Sequence, residues 1–301
     1  MDAKNDFIID ALNIHGSFFH KKCIEAISNT ENLSVIEKEF PVELDNEKTK
    51  IDIIAKNYFS NLESYFIIEC KKADNNFKTW VFFPDIKHGL NDNSVIGGDS
   101  PLIIDTFLNL RNSLDPPIWT IKHVRYIHEF STNIYRDINS KVCYDAYQIK
   151  FDYDKEGDIN WNNIPKSANK KDIEDACNQV LLGTRGFVLH KFQRLSKQNN
   201  LTTASFNPII VTTAKLLVVD VDASNVTINT GTIINKDKVK LIPAEWVIYN
   251  YKPNFMLNEI NRIPFFPPKN VINDSIDYTM SVFIVNSESL TKFMKLFQIM
   301  S

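Results

Sequence analysis

Glycine is scarce in this sequence, 8 residues in 301, and the 12 prolines are dispersed. Without a Gly/Ser-rich or Pro-rich tract there is no linker to divide the chain, and a single domain over residues 1–301 is expected. Cysteine is sparse as well. Cys23, Cys70, Cys143 and Cys177 stand far apart with no paired spacing, which argues against a zinc site and a disulfide framework and leaves reduced, buried thiols. No apolar run approaches the roughly 20 residues that cross a bilayer. The start, Met1-Asp2-Ala3-Lys4-Asn5-Asp6, lacks the apolar stretch of a signal peptide. The expectation is a soluble, cytoplasmic protein with no membrane partner. An excess of positive charge is also missing. A formal net charge of -3 gives no global attraction for nucleic acid, so contact with a phosphate backbone needs a local basic face.

What remains can fill a large core, because 44% of the residues are hydrophobic and 12% aromatic. Ser17 is a candidate cap for a helix over 17–28, with Phe19, Cys23, Ala26 and Ile27 on one stripe. Three extended segments follow, Val35 to Leu44, Lys50 to Asn57 and Tyr65 to Lys72, separated by the polar turns Asp45-Asn46-Glu47 and Ser60-Asn61. They predict a meander. From about 75 to 168 the pattern is irregular, with the cluster Trp80, Phe82 and Phe83 and candidate strands near His123 to Phe130 and Val142 to Tyr153. This stretch reads as a large insertion.

Asn169 then caps the clearest helix of the chain, which carries Ile173, Ala176, Cys177, Val180 and Leu181 at helical spacing. Gly183 and Gly186 are expected to break it before the pattern resumes over Phe187 to Leu195. Ile209 to Val211, Leu216 to Val221, Glu245 to Tyr251 and Tyr278 to Val285 read as strands, and Ser287 as the cap of a last helix containing Leu290, Phe293, Met294 and Phe297. The fold class is therefore α/β (α+β), a central mixed β-sheet flanked by helices. Its core spans about 17–72 and 169–222, with C-terminal strands and a helix in 240–301.

Two positions break the apolar pattern in a way that points to chemistry. In Tyr65-Phe66-Ile67-Ile68-Glu69-Cys70-Lys71 an apolar strand runs into charge, and the two-residue period puts Ile67, Glu69 and Lys71 on one face. In Lys50-Ile51-Asp52-Ile53-Ile54-Ala55 a lone carboxylate sits inside an apolar strand. Burying an unpaired carboxylate costs several kcal/mol, so such residues usually face a cation or a metal. Asp52 and Glu69 together can offer hard oxygens to Mg²⁺, for which Mn²⁺ can substitute, while leaving positions for water and a phosphate oxygen. Lys71 can orient the attacking water, help deprotonate it or offset charge on the phosphate.

At these residues the chain resembles the PD-(D/E)XK, or restriction-endonuclease-like, nuclease superfamily, whose motif is an acidic residue followed by Glu-x-Lys on the next strand. The matching residues are Asp52 and then Glu69-Cys70-Lys71. The resemblance implies that Asp52 and Glu69 bind metal, that the Cys70 carbonyl is a further ligand and that Lys71 is catalytic. It also implies a core order of helix, three strands, helix, strand, which agrees with the pattern read over 17–72 and 169–222. Many members carry a glutamine on the second core helix, where Gln179 falls here. Two departures stand out. Ile51 replaces the proline before Asp52, and after Gly16-Ser17-Phe18-Phe19 the chain has His20 where many members have a glutamate. His20 can bind metal or water; Glu25 is a less well placed substitute.

Other features have a bland explanation beside a functional one. Arg185, Lys191, Arg194 and Lys197 can meet phosphates or simply be solvated. Trp80, Phe82 and Phe83 can stack on bases or seal a core. His123 and His128 have no spacing partner. The expected function is a metal-dependent DNA endonuclease in restriction or antiviral defence, acting as a homodimer or beside a partner subunit. The alternatives are an RNA nuclease and an inactive nucleic-acid-binding or sensor subunit. No zinc finger or helix-turn-helix is visible, so target choice falls to the insertion and loops.

Overall fold

In the computed structural model, residues 3–14, 16–44, 47–59, 62–74, 77–84, 99–105, 119–125, 142–150, 168–195, 203–251 and 280–296 are described. Two helices open the chain, α1 (Ala3–Ile14) and α2 (Ser17–Ser28). The meander follows as β1 (Leu33–Leu44), β2 (Glu47–Phe59) and β3 (Leu62–Lys71), with antiparallel pairing throughout. Each hairpin closes over two residues, from Leu44 to Glu47 and from Phe59 to Leu62. Such short connections leave the strands little choice of register.

The stretch read as an insertion supplies β4 (Thr79–Pro84), β5 (Asp99–Asp105), β6 (Trp119–Arg125) and β7 (Val142–Ile149), and β8 (Ala168–Asn169) follows. All five pair within the same sheet as the meander. The long helix α3 (Lys171–Leu195) leads into β9 (Thr203–Thr212), β10 (Lys215–Asp220), β11 (Lys240–Ala244), β12 (Trp246–Tyr251), β13 (Met280–Asn286) and α4 (Leu290–Leu296). Among the described residues the sheet has 13 strands in the order β1-β2-β3-β9-β5-β13-β12-β7-β4-β10-β11, with β6 on β5 and β8 on β7. It is mixed, since β3 and β9 run parallel while β1, β2 and β3 alternate. The architecture is α+β.

Alternation along the strands divides the core in two. Ile54, Tyr65 and Ile67 pack with Ile173, Val180 and Phe187 of α3, whereas Ile53, Phe66 and Ile68 pack with Cys23 and Ile27 of α2 and Phe293 of α4. Helices thus cover both faces of the sheet centre, which is why β3 and β9 are apolar on both sides. Among the described residues no helix is long and apolar enough to cross a membrane. The four cysteines are free; Cys70 alone is half-buried and the others are buried.

Several local expectations are corrected. Gly183 and Gly186 do not break α3, which runs unbroken from Lys171 to Leu195. A Cβ at Gly183 would lie 1.6 Å from Ile51 Cδ1, and one at Gly186 would lie 2.3 Å from Val42 Cγ1. These glycines let the helix lie close on β1 and β2. Ser17 does not cap α2: the cap is Gly16, left-handed at φ 76°, with no side-chain bond. At the last helix the side chain that accepts from Glu288 N–H is Asn286, one residue before Ser287. Asn169 does accept from the first backbone N–H of α3, that of Lys171, at 3.1 Å. Helix α1 was not anticipated, and it leaves Phe7, Ile8, Ile9, Leu12 and Ile14 exposed.

Candidate metal centre

The two hairpins determine which side chains meet. Around the first, Lys38 pairs with Ile53 and Phe40 with Ile51, so Glu39 stands across from Asp52. Around the second, Ile53 pairs with Ile68, so Asp52 and Glu69 are the next facing positions. Three carboxylates therefore lie in a row over β1, β2 and β3. Helix α2 brings His20 to the same place: His20 Nδ1 is 3.7 Å from Glu39 Oε1, and Nε2 is 3.2 Å from the backbone carbonyl of Asp52. Suitable ligand atoms of His20, Glu39 and Asp52 lie within 4.8 Å of one another.

Asp52 is held by the motif itself. The Cys70 backbone N–H donates to Asp52 Oδ2 at 2.7 Å, which leaves Oδ1 for another partner. Burial raises the Asp52 carboxyl above its usual range, against the lowering effect of the Cys70 N–H. Glu69 is 5% exposed, and its Oε2 is buried without a hydrogen-bond partner. Burial, with the like charge of Asp52 added, pushes the Glu69 carboxyl up to about 9 in spite of Lys71. The hydrogen bond with Cys23, together with loss of solvent, holds the Cys70 thiol well above its ordinary value. The thiol remains protonated, so the carbonyl is the donor that Cys70 can offer a metal.

Lys71, half-buried, follows Glu69 by one strand period and sits beside Thr212 of β9. The next residue, Lys72, ties α1 to this end of β3 through a hydrogen bond to the Asn13 carbonyl. Gln179 on α3 donates from Nε2 to the Lys50 carbonyl at 3.1 Å, two residues before Asp52. Asp52, Glu69, Lys71 and His20 thus lie about the C-terminal end of β3 and the part of β2 next to it, while Gln179 bonds the β2 backbone two residues before Asp52. Glu25 is not among them, because its carboxylate pairs with Lys22 at 2.9 Å on the exposed side of α2.

The remaining candidates fall elsewhere. Trp80 and Phe82 are 1% and 0% exposed and belong to the core, so they are closed to bases. Lys191 pairs with Glu63 at 3.0 Å and lies over the Tyr65 ring, which is a structural role. His128 and Lys197 lie outside the described residues, as do the side chains of Arg194 and His123.

Glu39 was missed in the sequence because β1 also carries Glu37, Lys38 and Glu43, so one more acid gives no contrast. The signal that finds it is a count. From the Leu44–Glu47 pair, five residues back from Leu44 reaches Glu39 and five residues on from Glu47 reaches Asp52. The chain matches no protein-family model, no curated protein and no solved structure in comparisons with each.

Proposed function

We propose that the protein is a metal-dependent endonuclease that hydrolyses phosphodiester bonds in DNA, with Asp52, Glu69 and Lys71 as its catalytic residues. The observation that carries this is the closeness of Asp52 and Glu69, next along the strands from the Ile53–Ile68 pair, with Glu69 Oε2 buried without a hydrogen-bond partner and Lys71 one period along the same strand. With β4 to β8 set aside, which intervene between β3 and α3, the sequence α2, β1, β2, β3, α3 and β9, with β9 parallel to β3, supports this reading. A role in restriction or antiviral defence follows from the resemblance to restriction-endonuclease-like nucleases.

The donor set fits a hard divalent cation, since Asp52 Oδ1 and Glu69 Oε2 have no protein partner competing for them among the described residues. When bound, Mg²⁺ would supply neutralisation of phosphate charge and acidification of water. The protein's own groups do the rest. The Cys70 N–H fixes the orientation of the Asp52 carboxylate, and the Gln179 amide holds the β2 backbone just before it. The Lys71 ammonium stands where it can orient a water and offset charge on the departing oxygen.

Supercoiled plasmid and single-stranded RNA incubated with Mg²⁺, with Mn²⁺ and with EDTA test this directly. Metal-dependent nicking of the plasmid is expected, with a loss of at least about 100-fold in both Asp52→Ala and Lys71→Ala. Cleavage of RNA alone would move the substrate, and cleavage that survives both substitutions would move the site.

A further inference from the structure

We propose that Glu39 and His20 join Asp52 as direct ligands of the divalent cation, giving a mixed nitrogen and oxygen site that prefers Mn²⁺ to Mg²⁺. The proposal rests on the metal-dependent reading of Asp52 and Glu69 and adds to it a third carboxylate and an imidazole. His20 supplies the first argument. Its Nε2 faces the Asp52 carbonyl at 3.2 Å, and a carbonyl can only accept, so Nε2 carries the proton. In the neutral ring Nδ1 then presents its lone pair toward Glu39, 3.7 Å away. A ring nitrogen locked by a backbone carbonyl while the other is left open is the usual arrangement of a metal-binding histidine.

The second argument is the space between the donors. His20, Glu39 and Asp52 offer atoms within 4.8 Å of one another, against about 4 to 5 Å across a six-coordinate cation of this class. Asp52 has one oxygen held by the Cys70 N–H and one to give. Glu39 reaches the cluster from a left-handed backbone at φ 51°, one of two positive-φ residues other than glycine in the described chain. The third is independent of the cluster. Glu69, next in the row, is 5% exposed and has an oxygen with no partner. The cations near Glu39 are Lys50, 3.7 Å away, and His20 if protonated.

Imidazole nitrogen suits first-row transition ions, whereas Mg²⁺ and Ca²⁺ favour oxygen alone. Calorimetric titration of the full chain with Mn²⁺ and with Mg²⁺ tests the preference, and pulsed EPR of the Mn²⁺ complex tests the nitrogen directly. Wild type should bind Mn²⁺ about tenfold more tightly than Mg²⁺ and show ¹⁴N coupling, lost in His20→Gln. Glu39→Gln, a change at an exposed side chain, should weaken both ions about tenfold. Absence of ¹⁴N coupling in wild type, or Mn²⁺ binding within about twofold of wild type in Glu39→Gln, overturns the proposal. If Asp52→Asn still abolishes binding and plasmid cleavage in that case, the nuclease reading stands without it. Failure of wild type to bind either ion removes both.

Discussion

The left-handed backbone at Glu39 is the most informative single residue. Of the two non-glycine residues with positive φ, Asn32 is of a type that tolerates this region, while Glu39, at φ 51°, is not. An L-residue there costs about 1 to 2 kcal/mol, and strain of this kind persists where the surroundings or a function require it. Glu39→Gly should relieve it, offset by the extra freedom glycine has in the unfolded chain, about 0.4 to 1 kcal/mol. The variant is expected to be as stable as wild type or up to about 1 kcal/mol more stable in urea unfolding without metal. A clear loss of stability would mean that Glu39 is held by its own contacts and not strained. The residues that were legible in the sequence share a different property. Asp52 and Glu69 interrupt apolar strands, so the cost of burying them is visible from composition alone. Glu39 lies on a strand whose residues from Ile36 to Glu39 are all exposed, where charge carries no such cost and leaves no mark.

Helix α3 shows how an element can be recognised and still misjudged. Its apolar spacing is clear in the sequence, but glycine is read locally as a helix breaker, because it costs about 1 kcal/mol relative to alanine. Here both glycines face the sheet, and what they gain is close approach to Ile51 and Val42. Gly186→Ala separates the two effects. A better helix former should add about 1 kcal/mol, whereas the new methyl meets both Val42 methyls and its Cβ at 2.3, 3.0 and 3.2 Å and cannot be cleared by rotating a side-chain end. Overpacking of this type costs about 1 to 3 kcal/mol, so net destabilisation is expected in urea unfolding, with partial recovery in Gly186→Ala/Val42→Ala. A stabilised single variant would restore the helix-breaking view. The meander was readable for the opposite reason. Its strands are separated by only two residues at each connection, and everything needed to pair them is local. The order of the sheet beyond β3 depends in part on contacts between residues more than a hundred positions apart, such as Ile68 with Ile209, and no local pattern encodes them.

Across the whole molecule, two buried acids on β3 set how stability depends on pH. At one end Glu63 is pushed up by burial, but hydrogen bonds from Lys56, Tyr65 and Lys191 outweigh that and hold it at about 2. Its folded value lies below the unfolded one, so it contributes stability that is present above about pH 4.5 and lost as pH falls toward 2, on the order of 3 kcal/mol. At the other end Glu69, raised to about 9, has the opposite sign. The folded chain keeps a proton that the unfolded chain releases, so stability declines as pH rises from about 4.5, by on the order of 3 kcal/mol at neutral pH. Asp52, also raised by burial, acts in the same direction. Without metal the protein should therefore be most stable in mildly acid solution near pH 4 to 5. Urea unfolding from about pH 3 to 8 in EDTA is expected to give a maximum there, with the acid limb flattened in Glu63→Gln and the alkaline limb flattened in Glu69→Gln. A cation bound by the ionised Glu69 removes the reason for the alkaline decline, so saturating Mn²⁺ should shift the maximum toward neutral pH in wild type and leave Glu69→Gln nearly unchanged. Stability that rises steadily to pH 8 in EDTA would show that Glu69 is ionised in the free protein, and the charge it faces would then have to come from the protein itself.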